Sequence, residues 1–268
     1  MKKLFYSVLL LSGMVLGSCS QNDEPLNGRG VLQVDLSTDF SFIGERDKID
    51  GRAVDANAYQ HISNYTLKLT KTSDGSVVKE GLYSEWPLQM ELESGAQYKM
   101  EASYGKEEPA SFDGLLVTGN EIFTLNPGTT KKLEFQCKPT AAKISVNYDK
   151  SFDTYYSDCE VSVKTKHMTD AFKLAKANDG QDLYIKADAA GEEVVLNFNL
   201  KDKTGETTTL PGVPTEKTLT IKPQTFLKIT FKPEVTEIEG GKFGLQVVVD
   251  NGVTQENIDI VVPNDVIK

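Results

Sequence analysis

From Leu32 onward the chain alternates apolar and polar side chains almost without a break. Leu32, Val34 and Leu36 alternate with Gln33, Asp35 and Ser37, and Tyr65, Leu67 and Leu69 alternate with Thr66, Lys68 and Thr70. Leu88, Met90 and Leu92 repeat the pattern, as do Tyr98, Met100, Ala102 and Tyr104, then Leu133, Phe135 and Cys137. The second half continues with Ile144, Val146, Tyr148; Cys159, Val161, Val163; Leu183, Ile185; and Val194, Leu196, Phe198, Leu200. It ends with Leu219, Ile221; Leu227, Ile229, Phe231; Phe243, Leu245, Val247, Val249; and Ile258, Ile260, Val262. Side chains alternate across a pleated strand, so each run predicts a strand with one buried and one wet face. Turn formers separate the runs, among them Ser73-Asp74-Gly75, Asn126-Pro127-Gly128, Asn178-Asp179-Gly180 and Asp250-Asn251-Gly252. No segment carries a long helical stripe. The expectation is an all-β chain of short antiparallel strands, arranged as β-sandwiches with Greek-key connections.

The pattern is also duplicated. Leu125-Asn-Pro-Gly-Thr129 followed by Leu133 and Phe135 matches Ile221-Lys-Pro-Gln-Thr225 followed by Ile229 and Phe231. Nearer the start of each half, Val34-Asp35-Leu36 matches Val146-Asn147-Tyr148. Two tandem sandwiches account for this, one over residues 30–138 and one over 139–268. The longest irregular stretch, Ser37 to His61, holds Arg46 and Arg52.

The first residues obey a different rule. Lys2 and Lys3 precede an apolar run from Leu4 to Leu16, too short to cross a bilayer, and the run ends at Leu16-Gly17-Ser18-Cys19. That ending resembles the lipobox of bacterial lipoproteins. It implies removal of residues 1–18 as a signal peptide and acylation of Cys19, the palmitate-type anchor holding the rest on outer-membrane lipid. One acyl chain holds only marginally, at about 0.8 kcal/mol per buried CH₂, whereas two or more hold firmly. Residues 19–29 are then a polar linker. Its Ser20-Gln21-Asn22-Asp23-Glu24 resembles the acidic export tag of Bacteroidales lipoproteins, which implies a position facing the cell exterior.

Charge narrows the partners. The chain carries a net charge of −10. Loss of a leader with two lysines and no acid makes it more negative still. No nucleic acid is expected as a ligand, because a phosphate backbone needs a basic face.

The sequence offers little chemistry. His61 and His167 lie in no metal-ligand spacing, nucleophile elbows and phosphate loops are absent, and Glu107-Glu108 and Glu192-Glu193 are adjacent acids that a strand would point to opposite faces. Asn178-Asp179-Gly180-Gln181-Asp182 departs from a calcium loop and reads as a turn. The expectation is therefore no enzyme, no cofactor and no metal. Cys137 and Cys159 fall on apolar strand faces and read as small buried hydrophobes, although a disulfide is left open. Trp86, the lone Trp, lies close to Tyr83; the pair reads as packing at the core edge or as a platform for sugar rings.

Several pieces together resemble one family. They are the lipobox, Val34-Asp35-Leu36-Ser37, Ser84-Glu85-Trp86-Pro87, Glu101-Ala102-Ser103-Tyr104-Gly105, and Phe135-Gln136-Cys137 leading into Ala142-Lys143-Ile144-Ser145-Val146. The chain is similar to the two-domain Bacteroidales lipoproteins of uncharacterised function that are related to fimbrillins and fimbrillin-like adhesins. The resemblance implies transthyretin-like sandwiches and a fimbrial accessory, tip or adhesion role. Its partners would be fimbrial subunits or a ligand on a host or bacterial surface. It also implies that an Arg-directed protease could cut at Arg46 or Arg52 and free the first strand. Only Asn264 to Lys268 follow the last predicted strand, which argues against a shaft subunit that donates a strand. The alternative expectation is a glycan-binding lipoprotein of a polysaccharide-uptake system, with Trp86 and Tyr83 as its platform.

Overall fold

The computed structural model describes residues 28–39, 56–208, 215–236, 242–250 and 255–261. In chain order these give β1 (Arg29–Thr38), the short helix α1 (Ala56–Gln60), β2 (Thr66–Lys71), β3 (Val77–Leu82), β4 (Met90–Glu93), β5 (Gln97–Gly105), β6 (Ala110–Ser111), β7 (Leu116–Thr124) and β8 (Thr130–Pro139). There follow β9 (Ala141–Tyr148), α2 (Phe152–Tyr155), β10 (Tyr156–Lys164), β11 (Phe172–Leu174), β12 (Asp182–Lys186), β13 (Glu192–Asp202), β14 (Thr207–Thr208), β15 (Glu216–Ile221), β16 (Phe226–Thr236), β17 (Lys242–Asp250) and β18 (Gln255–Val261). The protein is all-β, as the alternation predicts.

The strands form three sheets. One has seven strands in the order β3-β2-β5-β7-β8-β1-β4, one has six in the order β18-β17-β16-β9-β12-β6, and one runs β11-β10-β13-β14 with β15 also on β13. The first sheet cannot be flat. Its two edges, β3 and β4, are joined only by residues 83–89, three of which form a turn of 3₁₀ helix. That connection reaches about 23 Å, whereas seven flat strands would separate the edges by about 29 Å. The sheet curls, and its concave face encloses Leu32, Leu36, Leu67, Leu69, Met100, Val117, Leu133 and Cys137. A second cluster fills the space between the other two sheets. It takes Ile144, Val146, Leu183, Leu227 and Phe231 from one, and Cys159, Val161, Val163, Val194 and Leu196 from the other.

The sequence duplication recurs as geometry. β1 pairs in parallel with β8, with Val34 opposite Leu133 and Leu36 opposite Phe135. β9 pairs in parallel with β16, with Val146 opposite Ile229 and Tyr148 opposite Phe231. These are the residues that the two sequence copies align. The turns match as well: Thr129 N–H donates to Asn126 O at 3.3 Å, and Thr225 N–H donates to Lys222 O at 3.0 Å. Gly128 N–H meets Arg29 O at 2.8 Å, and Gln224 N–H meets Ala141 O at 2.8 Å. Gly128 has φ of 68° and Gln224 has φ of 64°. The second copy therefore places a side chain where the first has glycine.

The halves are tied together around β6 and β12. The loop between β5 and β7 supplies β6, which adds two residues to the β12 edge: Ser111 opposite Tyr184 and Ala110 opposite Ile185. Lys186 Nζ meets Glu107 at 2.6 Å beside it. β12 is consequently buried on both faces, Leu183 and Ile185 in the second cluster and Tyr184 in the first. β9 is covered on both faces too, so Lys143, on the polar side of its alternation, is buried and pairs with Asp182 at 3.0 Å. Its ammonium also lies 4.4 Å from the centre of the Phe226 ring.

Several sequence readings change. The pairs β1–β8 and β9–β16 are parallel where the alternation predicts antiparallel strands, because a parallel partner follows a long excursion of chain that local periodicity does not encode. Leu88, expected on a buried strand face, is 92% exposed, because the ladder with β1 begins at Met90, two residues beyond it. β3 and β7 are strands that the alternation did not announce. In β3 the run Val77-Val78-Lys79-Glu80-Gly81 lacks period two; in β7 Gly119-Asn120-Glu121 interrupts it. Gly119 has a packing reason: a Cβ there would stand 2.7 Å from Gln136 O and 2.9 Å from Cys137 Sγ.

Both thiols are free and buried, Cys137 in the first cluster and Cys159 in the second. Burial pushes the Cys137 thiol up to about 12 and raises that of Cys159 as well. Iodoacetamide at pH 8 should therefore label neither thiol in the folded chain and both in guanidinium, since the thiolate is the reacting form; rapid labelling of the folded chain would contradict this packing. The left-handed turn gives a second expectation. Gln224→Gly should raise the unfolding free energy measured in urea by up to about 1 kcal/mol and Gly128→Gln should lower it by a similar amount, the balance of αL strain against glycine's entropy.

Candidate binding surface

Trp86 and Tyr83 sit on the connection that closes the curled sheet. Trp86 N–H donates to Tyr83 O at 3.1 Å, and Tyr83 N–H donates to Tyr65 O at 2.8 Å, which anchors the segment to the start of β2. Trp86 is 9% exposed and belongs to the first hydrophobic cluster, with the Lys79 ammonium 5.5 Å from its ring centre. Tyr83 is half-buried, packs on the same cluster and donates its hydroxyl to Val34 O at 3.3 Å. The pair thus plugs the seam between the two sheet edges. Little of either ring is left for a sugar to stack on.

The exposed apolar surface lies on either side of that plug. Val77, Val78 and Leu82 on β3 are exposed, and so is Leu88 beyond Trp86. β3 is an edge of the seven-stranded sheet, so one side of its backbone is unpaired. Its register with β2 shifts between Leu69 and Thr70, which leaves Val78 with no partner on β2. Such a bulge, together with Lys79 and Glu80, discourages indiscriminate strand pairing. What the edge presents is therefore aliphatic side chains rather than a bare hydrogen-bonding ladder.

The remaining sequence candidates find structural employment. Asn178–Asp182 is a turn whose side chains bind backbone: Asp179 Oδ1 accepts Tyr148 N–H at 3.0 Å and Asn178 Oδ1 accepts Ala175 N–H at 3.0 Å. His61 is exposed at the end of α1. Glu192 and Glu193 point to opposite faces of β13, one buried and one exposed. His167, which showed no ligand spacing, comes together with Asp188 and Glu192. No sequence signal marks that cluster, since its members lie 21 and 25 residues apart on separate turns. Leu16, Gly17, Ser18 and Cys19, and the candidate cleavage sites Arg46 and Arg52, lie outside the described residues.

Comparison with known proteins places this geometry in context. No curated protein sequence matches the chain. Among solved structures it is similar to a fimbrial assembly protein from Parabacteroides distasonis, with 13% identity over 86% of this chain and 97% of that one and a TM-score of 0.44. It is similar also to the fimbrial anchor protein Mfa2 of Porphyromonas gingivalis, at 9% identity over 88% and 100% of the two chains and a TM-score of 0.42. The tip fimbrial protein Mfa3 of the same organism aligns at 10% identity over 86% and 99%, with a TM-score of 0.43. The model of one family, described as a domain of unknown function (DUF4493), matches residues 28–264, and the chain belongs to that family.

Proposed function

We propose that this protein is a surface-anchored lipoprotein of the fimbrillin or adhesin-like class that works by binding, as a cell-adhesion or fimbrial accessory or tip component. Acylated Cys19 tethers it to the outer membrane, residues 19–29 form the spacer, and two tandem β-sandwiches over 30–138 and 139–268 stand outward. The lipobox and the family resemblance of the sequence support the tether, and the repeated parallel closure of β1 on β8 and β9 on β16 supports two copies of one unit. Arg46 or Arg52 would be the point at which a protease frees β1.

The observation that carries a binding role is the β3 edge. Val77, Val78 and Leu82 on β3, and Leu88 beyond Trp86, are four of the five large aliphatic side chains exposed among the described residues, the fifth being Ile122 on β7. Apolar side chains grouped on a surface mark contact with another macromolecule. The bulge and the charges on β3 favour side-chain packing against a partner over addition of a strand. No step of bond making or breaking is assigned to this surface.

Cells displaying the chain should adhere to partner or host cells through this edge. Leu82→Glu and Leu88→Asp should lower adhesion at least several-fold while leaving the unfolding free energy within about 0.5 kcal/mol of the parent, as substitutions at exposed positions do. Unchanged adhesion of the double variant would remove the edge from the account. A glycan panel tests the alternative: saturable sugar binding lost in Trp86→Phe, with adhesion unaffected by the leucine variants, would favour polysaccharide capture.

A further inference from the structure

Two turns meet at one end of the sheet that contains β10 and β13. One, Thr165–Met168, follows β10; the other, residues 187–191, leads into β13. In the first, Met168 N–H donates to Thr165 O at 3.2 Å and His167 N–H to the Thr165 hydroxyl at 3.3 Å. In the second, Gly191 N–H donates to Asp188 O at 2.9 Å, and Gly191 adopts a φ of 115° that swings Glu192 inward. The outcome is a convergence of three donor atoms. His167 Nε2 lies 3.1 Å from Asp188 Oδ1 and 3.3 Å from Glu192 Oε2, and the ligand-capable atoms of the three residues all lie within 4.8 Å of one another.

Glu192 is the telling member. Its side chain is 1% exposed, and Oε1 accepts Lys166 N–H at 3.3 Å. Oε2 faces the Lys166 ammonium at 2.9 Å, and the same ammonium stands 2.5 Å from Asp188 Oδ2. The Lys166 side chain is 61% exposed, so its ammonium covers the cluster from the solvent side on a stem free to swing away. A buried carboxylate is costly unless its charge is compensated, and here the compensation comes from a side chain that solvent can draw away.

We propose that His167, Asp188 and Glu192 form a binding site for a divalent transition-metal ion of zinc's class. One imidazole nitrogen and two carboxylate oxygens suit zinc, whereas calcium and magnesium take oxygen alone. The ion would take the place of the Lys166 ammonium against Glu192 Oε2, Lys166 would turn outward, and water would complete the shell. It would staple the turn after β10 to the start of β13. This reading stands independently of the β3 edge, which belongs to the other half of the chain.

Zinc titration of the purified full-length chain in detergent, by calorimetry, tests it. The expected result is saturable binding of one ion per chain, weakened by at least about tenfold in His167→Ala and in Asp188→Asn, as loss of even a supporting partner weakens metal sites. Lys166→Ala should strengthen binding several-fold, because the competing exposed ammonium is gone. Zinc should also raise the thermal midpoint of the parent and not that of His167→Ala. Because Glu192→Gln alters a buried position, the two variants of partly exposed residues carry the test. Equal zinc affinity in parent and His167→Ala, or no saturable binding, would overturn the proposal and leave an ion-pair network centred on Lys166.

Discussion

Each half of this protein closes by laying its opening strand parallel to a late one, and the rest of the structure depends on that pairing. A parallel pair cannot be made by a tight hairpin; it needs a long excursion of chain between its members. Between β1 and β8 that excursion is the whole curled sheet with its plug at Trp86, and between β9 and β16 it is the sheet built on β10 and β13. The cores form inside these excursions. Leu36 and Leu133 in one half, Val146 and Ile229 in the other, contribute to both the closing ladder and the hydrophobic cluster. Loss of the first strand would therefore open a core as well as a sheet, which is why a cut at Arg46 or Arg52 would be a consequential event for this chain.

The same closure explains where the surface is left apolar. A sheet whose two edges are joined by a short segment must curl, and the residues of that segment either fill the seam or are turned outward. Trp86 and Tyr83 fill it. Leu82 and Leu88, on either side, are turned outward. The edge strand β3 contributes Val77 and Val78 beside them, and its bulge and charges keep the backbone from recruiting strands at random. Exposure here is a by-product of topology.

Much of this was legible in the sequence because burial on one face writes itself as period two. Leu67, Leu69, Cys159, Val161, Val163 and Ile229 are all buried where alternation puts them. The matching residues of the repeat also recur at matching register, Leu133 and Ile229 each facing its parallel partner after a turn that ends at Thr129 or Thr225. What escaped had physical causes. β12 and β9 are covered on both faces, so Tyr184 and Lys143 are buried against their pattern. β7 carries a glycine required by the backbone of β8 and so lost its alternation. The meeting of His167, Asp188 and Glu192 depends on two turns brought together by strand pairing, and no local spacing can announce it.

The proposed role requires that the protein be held outside the cell by lipid. Proteolytic shaving of intact cells, followed by intact-mass and amino-terminal analysis of the anchored and released portions, tests this most directly. The expected result is release of the folded portion without cell lysis, leaving an amino-terminal fragment that begins at acylated Cys19. A chain that resists shaving until the cells are broken, or one whose mass carries no acyl chains, would contradict it.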